Sequence, residues 1–105
     1  MCDIEIFRIL TKKAKKSICH YRVAALGINH RGEILACTFN KPRFTRKGGG
    51  IHAEMQLMKI FKDNLKIIYI LRVGEGGDIL PIHPCKVCQE KANELNIEIR
   101  ELKHE

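Results

Sequence analysis

His52, Cys85 and Cys88 are the residues of this chain whose types and spacing suit a metal ion, and Glu54 stands two positions beyond the first of them. Each candidate ligand falls where a loop gives way to a predicted helix, so two helix starts could converge on one ion. Cys85 and Cys88 are three apart, which in the first turn of a helix brings both sulfurs to one side. A helix N-terminus also stabilises the thiolate, the form that binds metal. One histidine and two cysteines leave the fourth tetrahedral position of a zinc ion to water, as in a catalytic site and not in a closed structural one. Glu54 cannot easily bind the same ion from the same turn, yet it can reach a water held there. Zinc lowers the pKa of such a water towards about 7, and a neighbouring carboxylate can take the proton and pass it on. The pattern therefore specifies metal-assisted hydrolysis.

Such a site needs elements that bring residue 52 to residues 85 and 88. Residues 3 to about 16 set Ile6, Phe7, Ile9, Leu10 and Ala14 among lysines at near-helical spacing, with Lys12, Lys13, Lys15 and Lys16 near the outer face. YRVAALGI and EILACTF, joined through Asn29, His30, Arg31 and Gly32, read as a hairpin. The stretch 40–50, NKPRFTRKGGG, holds one proline, three glycines and four cations, so neither helix nor strand persists through it. From His52 to about Asp63, the residues Ala53, Met55, Leu57, Met58, Ile60 and Phe61 predict a helix buried over much of its surface. IIYILRV, residues 67–73, reads as a strand covered on both faces. Pro84 suits the first turn of a helix running to about Leu95, and IEIREL alternates as a last strand. The order αββαβαβ, with about four strands, implies an α/β fold built as a three-layer α/β/α sandwich.

At 105 residues the chain is read as one domain, since two cores would each be too small to stand alone. Hydrophobic residues at 45% and charged residues at 30% exclude a disordered chain. No apolar run approaches the ~20 residues that cross a bilayer, and acids occupy the start where a signal peptide carries lysines, so the expectation is a cytoplasmic protein with no membrane partner. Five cysteines, an odd number, argue against a disulfide scaffold. Cys19 and Cys37 read as small buried hydrophobes, Met55 and Met58 as core, Cys2 as a terminal residue without a partner, and His83 as a loop residue outside the metal shell. Lysine and arginine number 19 against 12 acids, a formal charge of +7 that attracts phosphates.

The motifs I51-H52-A53-E54-M55 and H83-P84-C85-K86-V87-C88 resemble the zinc-binding signature of the cytidine deaminase-like superfamily, H-x-E followed by P-C-x-x-C. The resemblance covers the hairpin, both motif helices and the strand between them. It implies that His52, Cys85 and Cys88 hold Zn²⁺ and that Glu54 is the proton shuttle in hydrolytic deamination. It also implies that Asn40, at the end of the second strand, contacts the substrate sugar. Ala53, between the two working residues of the first motif, joins Asn40 on the substrate side. Free-cytidine deaminases often have cysteine where this chain has His52, and a glutamate two residues after the asparagine, where Pro42 stands here. The histidine form is more similar to deaminases of deoxycytidylate, of transfer-RNA adenosine and of cytosine in polynucleotides.

The loop before His52 adds Lys41, Arg43, Phe44, Arg46 and Lys47. Its cations suit a 5′-phosphate or the backbone of a strand, and Phe44 could stack on a base. Gly48, Gly49 and Gly50 would let backbone approach a ligand closely. Three functions follow: deamination of cytosine in a nucleoside or nucleotide, deamination of bases in single-stranded DNA or RNA, or a non-catalytic module that zinc ties together and whose basic face binds nucleic acid. Glu54 argues against the third, because a purely structural site has no use for a proton shuttle. The superfamily sheet commonly has five strands against the four counted here, so either a second subunit completes the edge of a homo-oligomer or the site is open and admits a polymer.

Overall fold

A computed structural model describes residues 3–17, 22–42, 50–74 and 76–102 of the chain. The first helix, α1 (Asp3–Ala14), buries Ile6, Leu10 and Ala14 along one stripe at four-residue spacing. Ile9 falls off that stripe and is 37% exposed, so the apolar face is narrower than the sequence pattern suggested.

Strands β1 (Arg22–Asn29) and β2 (Ile34–Phe39) form the expected antiparallel hairpin, in register from Ala24 opposite Phe39 to Gly27 opposite Ala36. Its turn is made by the residues singled out in the sequence. Asn29 Oδ1 accepts hydrogen bonds from the Arg31 and Glu33 N–H groups at 3.0 and 2.9 Å, and Gly32 adopts φ +81°, where a side chain would be strained. Asn29→Ala removes both bonds from this exposed turn and is expected to cost about 1 kcal/mol, read in urea as a lower midpoint at unchanged slope.

The stretch after β2 begins and ends in short paired segments. Lys41 lies opposite Ile51 and Pro42 opposite Gly50, forming a two-stranded ladder of β3 (Lys41–Pro42) and β4 (Gly50–Ile51). The proline and glycines that rule out a continuous strand leave room for two paired residues at each end. This ladder brings Asn40, just before it, towards His52, just after it.

Helix α2 (Ala53–Phe61) follows and ends in a 3₁₀ turn, Lys62–Asn64. It buries Ala53, Leu57 and Met58, whereas Ile60, counted with the apolar face from sequence, is 69% exposed. Strand β5 (Leu65–Val73) crosses the centre of the sheet, antiparallel to β1 and parallel to β7 (Glu98–Glu101). A two-residue strand, β6 (Ile79–Leu80), pairs with the end of β5 on the side where β7 pairs with its first half. All four strands read from the sequence are therefore present, and β6 is the fifth member of the mixed sheet. Because this chain supplies its own fifth strand, the strand count no longer argues that a partner completes the sheet.

Alternation along the central strands divides the core into two. Val23, Ala25, Ile68 and Ile70 face α2 and α3 (Lys86–Glu94), while Ala24, Leu26, Leu71 and Val73 face α1. Both faces of β5 are covered, as its unbroken apolar run requires. The result is the α/β/α sandwich expected from the order of elements. Helix α3 starts at Lys86 and not at Pro84: Pro84 precedes the helix and Cys85 is its N-cap. Among the described residues no helix is long and apolar enough to cross a membrane.

Candidate active site

Two helix starts meet on the α2–α3 side of the sheet. His52 is the N-cap of α2, with extended φ and ψ of −70° and 141° and no side-chain bond to its own helix. Its imidazole is turned instead to α3, where Nδ1 lies 3.4 Å from Cys88 Sγ. Cys85 caps α3, its sulfur accepting from the Cys88 N–H at 3.3 Å. One donor atom from each of His52, Cys85 and Cys88 falls within 4.8 Å of the others. The beginning of α2 is fastened to β2 by two bonds of 2.8 Å: Thr38 Oγ1 donates to the Ala53 carbonyl, and Gln56 Nε2 to the Phe39 carbonyl.

The donor set can be tested against zinc by geometry and by charge. Bond lengths of about 2.0 to 2.3 Å place tetrahedral ligands about 3.5 Å apart, close to the separation of Cys88 Sγ and His52 Nδ1. Burial pushes the Cys88 thiol well above its ordinary range. The hydrogen bond with Cys85, the negative charges of Glu54 and Cys85, and a hydrogen bond with Glu54 push the same way. A site so averse to a further negative charge is suited to a divalent cation, which supplies the compensating charge when the thiols ionise. One imidazole and two sulfurs are borderline-to-soft donors, which favour zinc over calcium or magnesium.

Glu54 lies in the first turn of α2 and is 3% exposed, held beside Cys88 at the positive end of the helix. It also lines a cavity of about 310 Å³ together with His52, Cys85, Ala53, Asn40, Val23, Ile82 and His83. His52, Ala53 and Glu54 of the first motif and His83 and Cys85 of the second thus share one cavity wall with Asn40, while Cys88 is not among the lining residues. Arg43, Phe44, Arg46 and Lys47 lie outside the described residues, as do Cys2 and Cys19. Met58 is buried and Met55 packs against the same core cluster. Cys37 is half-buried, and desolvation pushes its thiol up to about 11 against the pull of Lys13.

Four residues near the site were not picked out as functional from sequence. Val23 and Ile82 supply apolar wall. His83, read as an ordinary loop residue, lines the cavity with its side chain 87% exposed, and its Nδ1 lies 3.7 Å from Glu101 Oε2. Glu101 Oε1 accepts from the Ile82 N–H at 3.3 Å, so the end of β7 steadies the loop that leads to Cys85. No local pattern marks Glu101: it is the last residue of a strand whose charge alternation reads as a solvated edge.

No family model matches the chain, and no curated protein matches it by sequence. Similarity appears at the level of structure. A cytidine deaminase from Burkholderia pseudomallei superposes with a TM-score of 0.69 at 14% identity, covering 100% of this chain and 89% of that one. A cytidine deaminase from Mycobacterium tuberculosis gives 0.61 at 17% identity over 93% of this chain and 84% of its own. One from Mycobacterium leprae gives 0.60 at 18% identity over 89% and 85%. The chain therefore has the fold of the cytidine deaminases, with His52, Cys85 and Cys88 clustered at its two helix starts.

Proposed function

We propose that the protein is a zinc-dependent hydrolytic deaminase that converts cytosine to uracil in a nucleoside or nucleotide and releases ammonia. The observation that carries this reading is a buried carboxylate, Glu54, on the wall of the same cavity as His52 and Cys85, two members of a His-Cys-Cys donor set, in a fold shared with cytidine deaminases. Zinc, held by His52, Cys85 and Cys88, would supply the Lewis acidity that makes water nucleophilic near neutral pH. Glu54 then moves protons. It takes one from the attacking water, protonates the ring nitrogen beside the carbon that carries the amine, and delivers a proton to the departing amine, so that water and the amino compound become carbonyl and ammonia. Asn40 and Ala53 orient the substrate from the cavity wall, and Arg43, Phe44 and Arg46 are proposed to join them from the loop. A cavity of about 310 Å³ is at the lower end of the range for small-molecule sites, which suits one base and its sugar better than a larger ligand.

The formal charge of +7 favours a second substrate class, bases in single-stranded DNA or RNA. Zinc-loaded protein assayed on cytosine, cytidine, deoxycytidine, their monophosphates, adenosine and single-stranded oligonucleotides separates the readings. The expected result is ammonia release from a cytosine nucleoside or nucleotide. Turnover of oligonucleotides alone would replace the first reading by the second. No turnover of any of them, with zinc bound, would leave a non-catalytic module.

A further inference from the structure

We infer that Glu101 is a positioning residue for the metal site: its carboxylate holds the loop before α3 in the path that brings Cys85 to His52 and Cys88. That the metal is zinc rests on the function proposed above; the positioning rests on geometry of its own. Glu101 ends β7 opposite Ile70, a fully buried residue of the central strand, and the Leu102 N–H just beyond it donates to the Ile70 carbonyl at 2.9 Å. Its backbone is therefore fixed to the middle of the sheet. The side chain is 14% exposed and lies on the same face as Ile99, which packs against the core beneath α2 and α3.

Cys88 is carried by α3 itself, whereas Cys85 stands before the first turn of that helix and depends on the loop that leads to it. Pro81 and Pro84 give this loop no N–H, and the Ile82 N–H between them donates to Glu101 Oε1 at 3.3 Å. Ile82 is also buried, so its side chain is seated in the core with Cys88 while its N–H is seated on the carboxylate. Two attachments at one residue fix both the place and the direction of the chain there. The residues that follow have little freedom to lose that direction. Pro84 has its own φ locked and confines His83 to extended backbone, and Cys85 is extended too, with φ −67° and ψ 159°. An orientation set at Ile82 is thus carried to the Cys85 sulfur. The other contact of the carboxylate, Oε2 at 3.7 Å from Nδ1 of His83, involves an exposed imidazole and adds little.

Zinc affinity is measured by competition with a chelator, on variants whose far-ultraviolet circular dichroism matches that of the unmodified protein. Glu101→Ala leaves the Ile82 N–H without its acceptor and is expected to weaken zinc binding about tenfold, the lower end of the effect of losing a group that orients a ligand. Glu101→Gln keeps an acceptor oxygen and discards the charge, so it should restore affinity to within about twofold. Cobalt(II) taken up in place of zinc gives a second readout, since its absorption reports the sulfurs around it. Glu101→Ala should alter that spectrum and Glu101→Gln should reproduce the original. A merely structural role at the strand end would lower the melting temperature of the metal-free protein and leave affinity and spectrum where they were.

Unchanged zinc affinity or an unchanged cobalt spectrum in Glu101→Ala overturns the inference. Equal weakening in Glu101→Gln overturns it too, because charge and not the hydrogen bond would then be the cause. If Glu101→Ala does not fold, Glu101→Leu, which fills the space without an acceptor, takes its place in the comparison. Should the unmodified protein bind neither metal, the zinc reading fails, and the backbone ¹H–¹⁵N signals of Ile82 and Cys85 decide the positioning. Glu101→Ala must then shift both and Glu101→Gln return them, whereas an unchanged Cys85 signal in Glu101→Ala overturns it.

Discussion

Glu54→Gln is expected to keep the fold and about one zinc per chain while turnover falls by about a thousandfold or more, in the upper part of the range for one general acid–base group. The amide matches the carboxylate in size, so the tight space beside Cys88 is filled as before. What it lacks is a site for the proton. Glu54 is proposed to serve both the ring nitrogen and the leaving amine, so its loss is expected to disable both proton transfers. A thousandfold loss corresponds to about 4 kcal/mol of transition-state stabilisation. Ammonia release in single-turnover assays, with metal content measured on the same samples, checks both halves; a rate near that of the unmodified enzyme would make Glu54 a bystander.

Cys88→Ala is expected to abolish stoichiometric zinc binding and the stabilisation that comes with it. Cys88 is 1% exposed and stands between His52 and Cys85, so its sulfur links the two helix starts. Where free zinc exceeds the dissociation constant a thousandfold, binding stabilises the folded state by about 4 kcal/mol. The variant should therefore melt at one temperature with or without chelator, while the unmodified protein loses stability when chelator is added. Cys85→Ala should behave in the same way and in addition lose the cap on α3. Elemental analysis showing full zinc in either variant would remove that residue from the site.

Much of this site was legible because its residues are near one another in the sequence or sit at helix starts that announce themselves. His52 and Glu54 are bound together by α2, Cys85 and Cys88 by α3, and the turn at Asn29–Gly32 by its own side-chain chemistry. The long strands were legible too, since β1 and β5 are apolar over enough residues to show a pattern. Strands β3, β4 and β6 have two residues each, too few for any period to register. The exact start of α3 was blurred because Pro84 is as compatible with the residue before a cap as with a first turn. Glu101 was not legible for a different reason. Its partner lies 19 residues away, and only the closed fold brings the groups together.

The arrangement of β1 has a consequence for the order of events in folding. On one side it pairs with β2 across a tight turn, a contact the chain can make early; on the other it pairs with β5, Arg22 opposite Val73, after the intervening stretch that carries His52 has been threaded into place. Cys85 and Cys88 follow later still along the chain. His52, Cys85 and Cys88 meet only through pairings and packing distant in sequence, so a metal site built on them would form late in folding. A metal ion held there would deepen the native basin more than it eases the path into it, so it is expected to act as a brake on unfolding and to change the speed of folding little.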